Sequence, residues 1–206
     1  MPESFPFWDR AACLAGLMIL GAGVDLWRHG RAATRHKEYA FICLTGLIGC
    51  LAGTINDLIT STISPDYFTA GKGLPGGEDF KRQVAMFGLR QGLSAGVIAG
   101  AVCLYVSRRK SKFPPLAYGS LLGLLWMPMA CGLAGALLLP RAAGRSDPAG
   151  LALKLDGAMA PAQILPFLKV WWIHTGLYGG LLAGVIWLAV VATRRRTAGA
   201  KLPPGP

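Results

Sequence analysis

Apolar residues run in five long stretches, at roughly 11–27, 39–59, 84–106, 116–139 and 167–191, separated by polar segments. A helix needs about 20 mostly apolar residues to cross a bilayer, and each stretch approaches or meets that length. Glycine recurs every four residues inside three of them: Gly49 and Gly53 in the second, Gly88, Gly92, Gly96 and Gly100 in the third, Gly176, Gly180 and Gly184 in the fifth. In a helix exposed to water each such glycine costs about 0.8–1 kcal/mol relative to alanine. In lipid the same spacing bares one helix face, so a second backbone can come close. The pattern predicts an all-α polytopic membrane bundle of five spanning helices in one domain. The first stretch is the shortest and ends at Asp25. Glu3, Asp9 and Arg10 precede it in place of a basic leader, and no small-residue cleavage site follows. It therefore reads as a retained helix and not as a signal peptide.

The second half of the chain echoes the first. Gly88-Leu89, Gly92-Leu93 and Ala95-Gly96-Val97-Ile98 match Gly176-Leu177, Gly180-Leu181 and Ala183-Gly184-Val185-Ile186 at identical spacing. The spans before them share Leu51-Ala52-Gly53 and Leu133-Ala134-Gly135. Spans two and three would form one hairpin, and spans four and five a copy in the same orientation, as in parallel repeats about an axis along the membrane normal. Pro128 is expected to kink the fourth span.

Composition agrees with the pattern. Of the 206 residues, 53% are hydrophobic and 15% charged, against about 25% charged in soluble domains; the mean hydropathy is +0.45. The net charge of +11 would suit nucleic acid, but the basic residues flank the apolar runs instead of forming one face of a folded domain. Arg28, Arg31, Arg35 and Lys37 follow the first run. Arg108, Arg109, Lys110 and Lys112 follow the third, and Arg194, Arg195, Arg196 and Lys201 follow the fifth. The positive-inside rule places these three segments in the cytoplasm. The N-terminus is then outside, the C-terminus inside, and two long loops face out. No nucleic-acid partner is expected. The partners expected are the lipid bilayer and, beyond it, a second copy or other membrane subunits.

Ionisable side chains within spans are costly and mark candidate sites. Asp25 lies near the cytoplasmic end of its span, beside Arg28, and is expected to reach the interface. Asp57, Arg90, Lys169 and His174 all fall in the outer half of the bilayer on the expected topology. Asp57 continues the Gly49 and Gly53 face, with Asn56 and Thr60 beside it, and Lys169 shares the Gly176 face. Arg90 and His174 point away from their own glycine stripes. The spacing predicts Asp57 paired with Lys169 or Arg90, with Asn56 and Gln91 completing the hydrogen bonds, since buried charges in lipid need partners. The cluster reads either as a lock on helix register or as a site for an ion or small polar solute.

The outer loop after span two carries its own signals. Ser64 is placed to cap a short helix, Pro65 to begin it and Asp66 to favour its dipole. Gly71 is placed to end it, and Tyr67 and Phe68 are expected at the headgroup level. The run Asn56-Asp57-Leu58-Ile59-Thr60-Ser61-Thr62-Ile63-Ser64-Pro65-Asp66-Tyr67-Phe68 resembles a motif of uncharacterised bacterial membrane proteins. There an acid and a Thr or Ser precede Ile-Ser-Pro-Glu-Tyr-Phe at a helix–loop junction. Asp66 stands where Glu is usual. The resemblance covers about a tenth of the chain. It implies a bacterial membrane, hence a multi-pass inner-membrane location, and transfers no activity. In the second outer loop, 141–166, a short amphipathic piece is expected, and the tail 198–206 is expected to be flexible.

Catalytic signatures are missing: there is no H-E-x-x-H, G-x-S-x-G, Walker loop or dinucleotide fingerprint. Cys13, Cys43, Cys50, Cys103 and Cys131 lie in apolar runs without a C-x-x-C pair, so small buried thiols are expected. No cofactor or metal is expected. Two functions remain in view. One is binding or passage of an ion or small polar solute at the Asp57 cluster. The other is a structural or assembly role without transport.

Overall fold

The computed structural model describes residues 7–108, 115–144 and 159–199. They form helices α1 (Phe7–His29), α2 (Arg35–Ile63), α3 (Pro65–Thr69), α4 (Phe80–Arg108), α5 (Tyr118–Leu122), α6 (Trp126–Ala143) and α7 (Pro161–Gly199), with a 3-10 turn at Gly30–Ala32. The fold is an all-α bundle. Five of its helical stretches are long and apolar enough to cross a membrane, and the chain is a multi-pass membrane protein. At about 1.5 Å of rise per residue, α7, with 39 residues, outruns a hydrocarbon core about 30 Å thick. Helices α1, α2, α4 and α7 extend beyond the apolar stretches at both ends because their polar first and last turns continue the same backbone bonding.

Two hairpins, α2 with α4 and α6 with α7, carry most of the packing. In the first, a Cβ at Gly53 would strike Gly88, one at Gly49 would strike Gly92, and one at Gly96 would strike the Thr45 carbonyl. In the second, Gly135 meets Gly176, Gly180 meets the Cys131 carbonyl, and Gly184 meets Met127 and Pro128. The contact register is therefore the same in both hairpins, as the repeated sequence predicts. Backbones approach this closely only where side chains are absent. Outward-facing positions stay apolar: Leu44, Leu47, Leu51, Ile55 and Ile59 form an exposed stripe along α2.

The fourth span is broken, but upstream of the expected point. A turn at 123–125 separates α5 from α6, and Pro128 sits in the first turn of α6. A proline there lacks an N–H that no helical partner needs, while its ring disfavours helical backbone just before it. Helix α1 buries none of its residues. It is tied at its C-terminal end, where Asp25 accepts from His29 Nδ1 at 2.8 Å and from the backbone N–H groups of Thr34 and Arg35 at 2.9 Å. Asp25 thus serves the first turn of α2, where the helix dipole favours an anion.

The core has two apolar clusters. Phe41, Cys103, Leu104, Leu121, Leu124, Met127, Leu188 and Ala192 pack toward one end. Tyr67, Phe68, Val84, Phe167 and Val170 pack toward the other. Of the five free cysteines only Cys103 is buried, and Cys13 and Cys43 are exposed, so the expectation of buried thiols holds for one position. The expected flexible tail is helical as far as Gly199. Residues 200–206, the loop residues 145–158 and the basic residues Arg109, Lys110 and Lys112 lie outside the described residues.

Candidate functional site

Asp57 projects from α2 about 9 Å before that helix ends, at 1.5 Å per residue. Its carboxylate meets His174 of α7: Oδ1 lies 2.9 Å from Nε2. Asn56 Nδ2 donates to the same Oδ1 at 3.0 Å and lies 3.2 Å from His174 Nε2. Thr60 turns its hydroxyl back to the Asn56 carbonyl at 2.9 Å. The acid and the histidine are closed off from solvent, with side chains only 2% and 5% exposed.

The hydrogen bonds restrict the protonation state. His174 Nδ1 lies 3.0 Å from the Val170 carbonyl one turn earlier. A carbonyl only accepts, so Nδ1 carries a proton. One further proton lies between Nε2 and Oδ1. On Nε2 it makes an imidazolium–carboxylate pair, and on Oδ1 it makes a neutral acid–imidazole pair. The other carboxylate oxygen, Oδ2, is buried with no hydrogen-bond partner. It rests against Gly88, where a Cβ would come within 3.0 Å of it.

Helix α3 closes the site. Ser64 caps it as expected, its Oγ accepting from the Tyr67 N–H at 3.3 Å, and Pro65 occupies the first turn. Tyr67 and Phe68 turn inward and are 3% and 0% exposed. The Tyr67 ring stacks on His174 at 4.8 Å and 22°, and Phe68 meets the imidazole edge-on at 6.0 Å. Both rings thereby gain an aromatic partner in the imidazole. Burial raises the Tyr67 phenol above its ordinary pKa, and the nearby Tyr178 and Asp57 raise it further. Gly71 follows the end of α3 and its N–H bonds the Asp66 carbonyl at 3.2 Å; a Cβ there would also strike the Tyr67 carbonyl and press on the Phe167 ring. The left-handed turns fall instead at Gly73 and Gly77.

The pairing expected of Asp57 is corrected. Arg90 is exposed and lies over the Phe7 and Trp8 rings of α1, 5.7 Å from each. Gln91 is exposed one residue on. Lys169 is exposed and lines a groove between α6 and α7. These three are not brought together with Asp57; Asn56, Thr60 and His174 are. Asp57 faces the glycine stripe of α4 at Gly88, whereas Arg90 and Lys169 project from exposed faces of α4 and α7. Two participants escaped the sequence reading. Tyr178, 6.2 Å from His174 between ring centres, and the Val170 carbonyl both lie one turn from His174. The i, i+4 spacing was the available signal.

The hairpin repeat shows that the pair has no twin. By the shared contact register, Asp57 corresponds to Leu139 and His174 to Met86, so the equivalent positions are apolar. Among the described residues no three His, Cys, Asp or Glu converge as metal ligands do. Comparison with protein-family models, curated proteins and solved structures finds no match to this chain.

Proposed function

We propose that the chain is a structural or assembly subunit of a bacterial inner membrane, in which the Asp57–His174 pair locks two glycine-packed hairpins in register. The observation that carries this reading is the closure of the pair, with side chains 2% and 5% exposed and Tyr67 and Phe68 packed on the imidazole. Helix α4 carries most of the contact between the hairpins and α2 meets α7 less, so the pair adds a directional polar contact where apolar packing is sparse. Buried polar pairs are best attested in such a register role. The basic segments support an N-terminus outside and a C-terminus in the cytoplasm. The partners are the bilayer and a second copy or other membrane subunits. Neither this reading nor the next calls for covalent chemistry.

A second reading, binding or passage of a proton or small cation, rests on Asp57 Oδ2, a buried acceptor without a donor. Asp57→Asn separates the two. In reconstituted vesicles loaded with a pH-sensitive dye, the lock predicts equal ion and proton flux for wild type and variant, with a lowered unfolding midpoint in detergent. Flux present in the wild type and lost in Asp57→Asn at unchanged folding would replace the lock with the second reading.

A further inference from the structure

The hairpin repeat isolates one cation. In the first hairpin Lys81 donates to Ser61 Oγ at 3.0 Å. The contact register puts Lys169 at the place of Lys81, and Ala143 at the place of Ser61. Lys169 has therefore lost the hydroxyl that holds its counterpart, and it is exposed on α7.

Lys169 borders an open groove of about 410 Å³ between α6 and α7. Leu137 on α6 and Leu165, Leu168 and Ile173 on α7 give it apolar walls, and Arg141 is its second cation. Arg141 Nη1 donates to the Leu137 carbonyl one turn earlier. A guanidinium has five N–H donors, so this bond holds the head in place and leaves others for a ligand. Among the described residues no Asp or Glu lines the groove. Leu137 and Leu165 are half-exposed beside it, on helices long enough to span the membrane. Two cations without an acid, at the end of a hydrocarbon-facing cleft, match one kind of molecule: an anion carrying an acyl chain.

We propose that this groove binds an anionic phospholipid, with its phosphate between Arg141 and Lys169 and its acyl chain along Leu137, Leu165 and Ile173. Cationic pockets between spanning helices recognise headgroups in this way. The site is separate from the Asp57–His174 pair, and its test does not depend on that pair's role.

Native mass spectrometry of the full chain in neutral detergent measures the binding. Phosphatidylglycerol is expected to bind about tenfold more tightly than phosphatidylcholine of the same chain length. R141Q/K169Q removes the preference, while R194Q/R195Q, which deletes equal charge at the far end of α7, keeps it. Millimolar inorganic phosphate does not displace the lipid. K169Q, which retains the Arg141 bond to Leu137, gives a partial loss and serves if the double variant fails to fold by circular dichroism. Equal binding of both lipids by the wild type overturns the proposal. So does a preference that survives in folded R141Q/K169Q, or one lost equally in R194Q/R195Q. Displacement by phosphate overturns it in favour of a soluble anion.

Discussion

Both ring nitrogens of His174 are engaged, Nδ1 by the Val170 carbonyl and Nε2 by Asp57, and a ring face lies against Tyr67. Removing the ring leaves Asp57 buried with Asn56 as its one side-chain donor. Breaking a buried pair on one side costs about 3–5 kcal/mol. His174→Ala is thus expected to lower unfolding free energy in detergent by about that amount, read from denaturant titration with circular dichroism, and more than Asp57→Asn, which keeps Asn56 and His174 hydrogen-bonded. Tyr67 supplies a pH dependence. Its folded pKa is raised above the ordinary 10.0, so the folded state holds the phenolic proton longer than the unfolded chain does. That stability is fully present below pH 10 and is lost as pH rises above it. Unfolding midpoints measured from pH 8 to 11 should fall at the alkaline end, and Tyr67→Phe should flatten the fall.

At the scale of elements, glycines that look alike in sequence have opposite tolerances. A Cβ at Gly92 would fall on the Gly49 carbonyl, whereas nothing lies within 4 Å of one at Gly23. Gly92→Ala must push α2 and α4 apart and is expected to destabilise the bundle, and Gly92→Leu to prevent the hairpin from closing. Gly23→Ala meets no atom and gains helix propensity, about 0.8–1 kcal/mol in water-exposed helices. Thermal unfolding of the two alanine variants in the same detergent should shift in opposite directions. Equal shifts would show that spacing alone, not backbone contact, governs these positions. The stripes in α4 and α7 were legible because every fourth residue returns to one face. Which partner each glycine meets was not, because that depends on how far one helix slides along the other.

For the whole molecule, the two hairpins share one contact register but join asymmetrically. Asp57 and His174 meet between the hairpins, while the positions that correspond to them in the repeat are Leu139 and Met86. A chain built from two like halves needs something to fix how the halves meet, and a single polar pair in an apolar seam does so, since any slide leaves a buried acid unpaired. Topology belongs to this scale as well. With the basic connections cytoplasmic, a C-terminal green fluorescent protein fusion in a bacterial host should fluoresce, and alkaline phosphatase at the same place should be inactive. The reverse result would invert the bundle and move the Arg141–Lys169 groove to the cytoplasmic leaflet.

The sequence alone determined the five spanning stretches from hydropathy, the hairpin repeat from glycine spacing, the Ser64–Pro65 helix start from its capping residues, and the choice of Asp57 and His174 as ionisable groups within spans. These are properties of single elements, fixed by the length of an apolar run and by which residues share a face. Tertiary structure alone decided that Asp57 meets His174 and not Lys169 or Arg90, and that Tyr67 and Phe68 turn inward. Lateral position within a bundle depends on how helices rotate against one another. Backbone contact at glycines sets that rotation, and residues at similar depth along different helices do not reveal it.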